Sequence, residues 1–357
     1  MMEEQSKIIC DNATISVQMH TLNHRVSQLR NHTGFTLAGH DRKEDSMKWT
    51  EALLKKQGYQ LKQTSTFKSY EQECGYHGVS LVVQDGVPLL HFACFAEQTD
   101  WMGMAFSTRL GGISTGCLSE MNLGWNRGDS PETVWENYNR ISRALGIEAE
   151  KLVFSDQIHE TTVEYVTESQ CAGVERKKKL VGVDGLYTDR NGIILATSYA
   201  DCVPLFFADP VKKVVASSHS GWRGSVGQIG RITIEKMKER FDCRPENILA
   251  LVGPSICQSC YEVSRDVREQ FTSLYSEDEL AEILEVGRTE GKYQLDLWAA
   301  CYHSIKKAGV PPEHIQVSRV CTCCQPDLLF SHRATQGKRG NLNGFIWIND
   351  TANVVPH

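Results

Sequence analysis

The stretch 199-YADCVPLFFADPVKKVVASSHSGWRGSVGQIGRITIEKM-237 decides how this chain is read. Two apolar runs, VPLFFA and KVVASSH, have the length and composition of strands, and Asp209-Pro210 between them marks a turn. Cys202 and His219 are 219 − 202 = 17 residues apart, enough for one strand to run out and the next to return. A hairpin therefore brings both side chains to the same end. Gly-Trp-Arg-Gly at 221–224 then leads into a helix expected over about 226–241. Taken alone, the Cys202/His219 pair reads three ways: nucleophile and base, half of a metal site, or a buried thiol near a hydrogen-bonded histidine.

Working outward, strands are expected at VSLVVQ, VPLLHFACF and WMGMAFST from Val79 onward, then at LVFS, TVEYV, DGLYT and IILATS, and after the hairpin at ILALVG, IQVS and GFIWI. The clearest helix is SPETVWENYNRISRALG, with Ser130 as N-cap, Pro131 at the first helical position, Val134, Tyr138, Ile141 and Leu145 on one face, and Gly146 as the stop. Further helices are expected near 263–275 and 297–308. Strands outnumber helices and often follow one another, which predicts an α+β fold with mixed sheets in layers. There is no GxGxxG after a strand, no P-loop and no internal repeat. Residues 1–65 hold four of the twelve histidines, one helix candidate at 46–56 and little periodic apolar surface. They are expected to be a weakly ordered extension ahead of a single domain at 66–357.

A net charge of −6 and a pI near 6.1 argue against a phosphate-tracking groove. The basic runs at 176–179 and 338–339 read as solvated loop faces, so no nucleic-acid partner is expected. No stretch is long and apolar enough to span a membrane, and the start of the chain lacks the pattern of a signal peptide, so a soluble, cytoplasmic protein is expected. The 13 cysteines are spread over a chain of enzyme length, which suggests reduced thiols. Cys257/Cys260 and Cys321/Cys324 have CxxC spacing. A zinc ribbon is disfavoured because its knuckles sit on glycine-rich turns and ICQSCYEVSRDV leads straight into a helix pattern. Both pairs, with Cys323, are expected to be small packed residues.

A third candidate donor is His159 in SDQIHETTVEYV, placed in a turn between two strands. Two imidazoles and one thiolate with an open fourth position suit a catalytic zinc, and the spacing leaves open that they are only buried polar residues.

In order, FSTRLGGIS, MNLGWNRGDSPETVWENYNRI, SDQIH, VDGLYT, ADCVPLFFADP, SHSGWRG, GPSICQSCYEV and FSHRATQGKRG resemble the YfiH/YlmD family of purine nucleoside phosphorylases, also labelled laccase-domain or polyphenol oxidase proteins. The resemblance runs from Phe106 to the C-terminus. It implies a four-layer α-β-β-α sandwich, similar to cysteine hydrolases of the cytotoxic-necrotising-factor type, and a zinc held by His159, Cys202 and His219; the older label suggests copper. It also implies phosphorolysis of adenosine, inosine, guanosine and S-methyl-5′-thioadenosine, and deamination of adenosine. Purine nucleosides and phosphate are the expected partners. Arg223 and Arg109 are the expected phosphate ligands, because a planar guanidinium donates two bonds to a phosphate. Asp201 and Asp184 are expected to orient a histidine or carry a proton, and Asn122 and Gln157 to bond base or ribose. The change from the family's HAGWRG to HSGWRG is small-for-small, whereas SHRATQGKRG redistributes basic groups near the substrate.

Three rival readings stand beside this one, and the first is rejected as the main activity. A multicopper oxidase assembles its cluster from HxH pairs, and no histidine here has another two positions away. A cysteine hydrolase would use Cys202 and His219 without metal. A non-enzymatic binding protein would work through residues 1–65.

Overall fold

The structure is a computed structural model that describes residues 51–64, 67–173 and 180–350. The expected extension is therefore seen only from Glu51, and the basic run at 176–179 lies outside the described residues.

Two mixed sheets stack face to face. The seven-stranded sheet runs β1 (Val79–Gln84), β2 (Val87–Phe92), β3 (Met102–Ser107), β16 (Leu342–Ile348), β8 (Ile194–Tyr199), β4 (Leu152–Asp156) and β6 (Leu180–Val181). The six-stranded sheet runs β15 (Ile315–Val317), β11 (Leu249–Val252), β9 (Val203–Asp209), β10 (Val214–Ser220), β7 (Gly185–Thr188) and β5 (Val163–Tyr165). β4–β8, β4–β6, β11–β15 and β5–β7 are parallel pairs and the others antiparallel.

Period-two alternation sorts the side chains into layers. On β9, Val203, Leu205 and Phe207 face the helices Ile229–Phe241 and Leu297–Lys307, while Phe206 and Ala208 face the other sheet. On β8, Leu195 joins the inter-sheet core, and Ile194 and Ala196 pack towards the helix Pro131–Leu145 with Val134, Tyr138 and Ile141. The order is thus helix, sheet, sheet, helix, the expected α-β-β-α sandwich. The sheets come close enough that a Cβ on Gly344 would lie 2.2 Å from the Phe206 ring, so β16 needs glycine there.

The helix at 131–145 matches its sequence signals. Ser130 Oγ accepts from Thr133 N–H at 3.2 Å, and Gly146 closes the helix in the left-handed region. Other expectations are corrected. The helix expected over 226–241 is two helices, Trp222–Val226 and Ile229–Phe241, separated at Gln228 with φ 57°. The helix expected near 263–275 opens with a strand, β12 (Glu262–Ser264), which pairs with β14 (Lys292–Leu295), itself paired with β13 (Leu284–Val286). Residues 51–64 are also tied to the domain. Leu54 is 2% exposed in the inter-sheet core, Thr64 N–H donates to Arg319 O, and Gln325 exchanges two hydrogen bonds with the Lys62 backbone.

Candidate active site

β9 and β10 form the hairpin expected from the opening stretch, with Pro204 opposite His219 and Val203 opposite Ser220. Asp209 Oδ1 accepts from the amides of Val211 and Lys212, each at 2.9 Å, and so sets the turn. Cys202, one residue before β9, therefore stands beside the end of β10. His159 arrives from the β4–β5 loop with φ 66°. One ligand atom from each of His159, Cys202 and His219 lies within 4.8 Å of the others.

Asp184, fully buried ahead of β7, sets this geometry. Its carboxylate accepts the amides of Ile158, His159 and Glu160 at 3.1, 3.0 and 3.0 Å, and its Oδ1 lies 2.8 Å from His219 Nδ1. The bond fixes the His219 ring and leaves Nε2 facing the donor cluster. Burial alone would raise the Asp184 carboxyl, but His219 and the amides hold it below its usual range. Burial likewise opposes ionisation of Cys202, yet the His219 charge and hydrogen bonds from both histidines bring its thiol down to about 6. His219, against its own burial, is raised to about 9 by the Cys202 charge and the Asp184 bond.

Gly221 closes one side of the cluster. A Cβ there would lie 3.1 Å from His159 Cδ2 and 3.2 Å from Cys202 Sγ, so a side chain would press on both donors. Two imidazoles and a thiolate around an open cradle form a donor set suited to zinc, with a position left for water or substrate. The cluster forms one wall of a pocket of about 510 Å³ at the ends of β4, β8 and the hairpin.

Of the other residues expected at the site, Gln157 and Arg223 line this pocket. Gln157 spends its amide on the Ser198 backbone, donating to O at 2.9 Å and accepting from N at 2.8 Å. Arg223 lies 4.3 Å over the Trp222 ring, exposed, in the first turn of its short helix rather than ahead of it. Asp201 lines the pocket with φ 87°, but its carboxylate accepts from Thr322 Oγ1 and Arg333 N, each at 2.6 Å. It braces the backbone before Cys202 instead of touching a histidine, which is how a conformation costing on the order of 1–3 kcal/mol is held. Arg109 and Asn122 are not pocket residues. Arg109 donates to Ser119 O and Pro326 O and sits over Phe330, and Asn122 is fully buried, bonded to Asp129, Gly124 and Asn341.

The same pocket is lined by Arg127, His332 and Arg339, which sequence reasoning did not single out. Arg339 is 9% exposed, and its Nε has no hydrogen-bond partner. Burial, and next the Arg127 charge, bring its guanidinium down to about 10. It is thus charged at neutral pH, with the Asp201 and Cys202 charges opposing the downward shift. Burial and the same arginines hold His332 below its usual range. Tyr261 also lines the pocket, with its phenol pushed up to about 12 by burial and the Cys202 charge. The only sequence signal for Arg127, His332 and Arg339 was the density of basic residues in SHRATQGKRG and the arginine in MNLGWNRGD.

A family model described as multi-copper polyphenol oxidoreductase laccase matches residues 103–349. The purine nucleoside phosphorylase YlmD of Bacillus subtilis is 34% identical over 278 residues, covering 77% of this chain and 99% of that protein. Adenosine deaminase RL5, from an unknown prokaryotic organism, is 35% identical over 232 residues, 64% of this chain and 87% of the relative. The crystal structure of YlmD from Geobacillus stearothermophilus superposes with a TM-score of 0.68 at 32% identity, covering 73% of this chain and 96% of that one. The chain belongs to this laccase-domain family, which includes the YlmD and YfiH proteins. Among the described residues no helix is long and apolar enough to cross a membrane.

Proposed function

We propose that this protein is a zinc-dependent enzyme that phosphorolyses purine nucleosides (adenosine, inosine, guanosine and S-methyl-5′-thioadenosine) and deaminates adenosine in the same pocket. The observation that carries the reading is that two unlike groups line one cavity. His159, Cys202 and His219 are one, and the basic side chains Arg127, Arg223 and Arg339 are the other. The names of the relatives, phosphorylase for YlmD and deaminase for RL5, agree with these two groups.

In phosphorolysis a phosphate oxygen bonds to C1′, the C1′–N9 bond breaks, and the purine leaves with a proton. Arg223 and Arg339 hold the phosphate by charge-assisted hydrogen bonds, with Arg127 adding to the field. The unpartnered Arg339 Nε is available for this without first breaking a bond. In deamination a water oxygen adds at C6 and ammonia departs. Zinc, when held by His159, Cys202 and His219, supplies Lewis acidity for that addition. Asp184 keeps His219 in the tautomer whose Nε2 is a donor to the ion, and Tyr261, still protonated at neutral pH, offers a hydroxyl to base or ribose.

The test is to assay purified protein with adenosine, with and without phosphate, alongside metal analysis. Ribose 1-phosphate in one case and inosine in the other are expected; zinc-loaded protein yielding neither product would sink the reading.

One observation favours a second reading. Cys202, His219 and Asp184 also have the connectivity of a nucleophile, a base and its orienting acid, with the thiol brought to about 6. A cysteine hydrolase would turn over with a chelator present and stop on alkylation. The zinc enzyme would show the opposite response to the chelator.

A further inference from the structure

The two CxxC pairs expected to be packing residues converge. One ligand atom from each of Cys257, Cys260, Cys321 and Cys324 lies within 4.8 Å of the others, and none of the four lines the pocket. Cys257–Cys260 is closed by a tight turn in which Cys260 N–H donates to Cys257 O at 3.0 Å. It lies against the turn at 321–324 through a parallel bridge, Ser255 with Cys321, and hydrogen bonds Ser255 N–H to Val320 O and Thr322 N–H to Ser255 O. The two turns are thus held side by side with their sulfurs facing one another.

Three observations separate this cluster from ordinary buried thiols. The first is spacing: Cys257 Sγ and Cys260 Sγ lie 4.0 and 3.5 Å from Cys324 Sγ. Tetrahedral zinc with Zn–S of about 2.3 Å places sulfurs about 3.8 Å apart, whereas a disulfide needs about 2.05 Å. The second is hydrogen-bond direction. Cys321 Sγ accepts two backbone amides, from Cys257 at 3.3 Å and Cys324 at 3.4 Å, as a thiolate ligand does. The third is closure: four protein donors complete a tetrahedron and leave no position for substrate, the mark of a structural rather than a catalytic site.

We propose that Cys257, Cys260, Cys321 and Cys324 form a tetrathiolate site that takes one zinc ion per chain and staples the loop at 255–261 to the loop at 320–325. Four thiolates select a soft, tetrahedral cation, and carboxylate-preferring cations such as magnesium and calcium are excluded. The staple sits directly behind the pocket. Ile256 and Tyr261, on either side of the first pair, line it; Thr322, inside the second pair, holds the Asp201 carboxylate. Arg333 donates to the carbonyls of Cys260 and Glu262 and also lines the pocket.

The experiment measures zinc per full-length chain by elemental analysis in four proteins: the wild type, Cys260→Ser/Cys324→Ser, Cys202→Ala/His219→Ala, and the combination. Cys260 and Cys324 are the partly exposed and exposed members, so their replacement leaves the buried thiols in place. The expected result is a loss of one zinc per chain in Cys260→Ser/Cys324→Ser relative to its parent, in both backgrounds. That outcome is independent of the proposed function: if the His159 cluster holds no metal, the wild type carries one zinc, and the same pair of serines removes it. As a readout that needs no cysteine variant of this cluster, cobalt(II) loaded into Cys202→Ala/His219→Ala should give the intense ligand-to-metal bands of a tetrathiolate. Unchanged zinc in the serine variant overturns the proposal. So does a Cys260–Cys324 disulfide in protein purified without oxygen. An adventitious ion only, shown by zinc that dialyses away against EDTA without lowering the melting temperature, overturns it as well.

Discussion

The molecule carries two soft-donor clusters on neighbouring loops, and they differ in how they end. His159, Cys202 and His219 offer three donors at the wall of a cavity of about 510 Å³, while Cys257, Cys260, Cys321 and Cys324 offer four donors between two turns, outside the pocket lining. Three donors leave a position for chemistry; four leave none. The supports differ in the same sense. The open cluster leans on a buried carboxylate that polarises an imidazole, and the closed one on amide N–H groups that only neutralise sulfur. Proximity of cysteine and histidine is therefore not what sets the two clusters apart; the missing fourth donor and the pocket lined by arginines are.

The contrast breaks most severely at Cys202. Cys202→Ala should abolish zinc binding at the open cluster and with it both ribose 1-phosphate and inosine formation, while zinc at the four-cysteine site stays, because two imidazoles are too few donors to hold the ion. Elemental analysis on the assayed sample checks this, and activity retained without the thiolate would dissolve the distinction. Asp184→Asn comes next. It keeps the shape and removes the anion that orients His219, so zinc affinity at the open cluster should fall about 10- to 100-fold. Competition with a chromophoric chelator reads this directly.

Arg223→Ala tests the basic side chains of the pocket. A hydrogen bond to a charged group is worth roughly 1.5–3 kcal/mol, so phosphorolysis at low phosphate should drop about 10- to 100-fold. Deamination should change much less, and zinc should be retained. Equal losses in both reactions would mean that Arg223 positions the nucleoside, leaving Arg339 as the main phosphate ligand. The mildest effect is one of pH. In metal-stripped protein Cys202 is depressed to about 6, so its iodoacetamide reactivity should rise from about pH 5 and level off above pH 7. An ordinary thiol near 8.5 would keep gaining reactivity through that range. His219, raised to about 9, stays protonated over the whole window and keeps the thiolate paired. A profile with its midpoint near 8.5 would show that the pair does not form without metal.

How much of this was legible beforehand follows from chain distance. Cys202 and His219 were readable because an antiparallel hairpin is local: two apolar runs and one turn signal fix which ends meet. His159 could be proposed from its turn, but its alignment depends on Asp184, a link across 25 residues that periodicity does not reveal. Arg223 was legible because it follows the hairpin directly, but Arg127 and Arg339 were not, since they come from two distant segments that share no pattern. Asn122 and Arg109 looked like ligands because they are polar residues in motifs, yet their hydrogen bonds go to neighbouring loops. The four-cysteine cluster was discounted for want of glycines. The turn at Cys257 is instead made by a single tight hydrogen bond, and the apolar rhythm after it begins as a strand.

Asp184 has a consequence beyond catalysis. The loop bearing His159 and the ring of His219 are both referenced to one carboxylate, so it acts as a common datum: a displacement of that point carries both histidines together and leaves their separation unchanged. Arg339 is referenced to other anchors, bonded to its neighbours Gly340 and Asn341. The spacing of the two histidines and the placing of Arg339 are therefore separate tolerances. Residues 334–339, past the Arg333 amide that holds the Asp201 carboxylate ahead of Cys202, can be rewritten to change what the cavity accepts while the two histidines keep their common anchor.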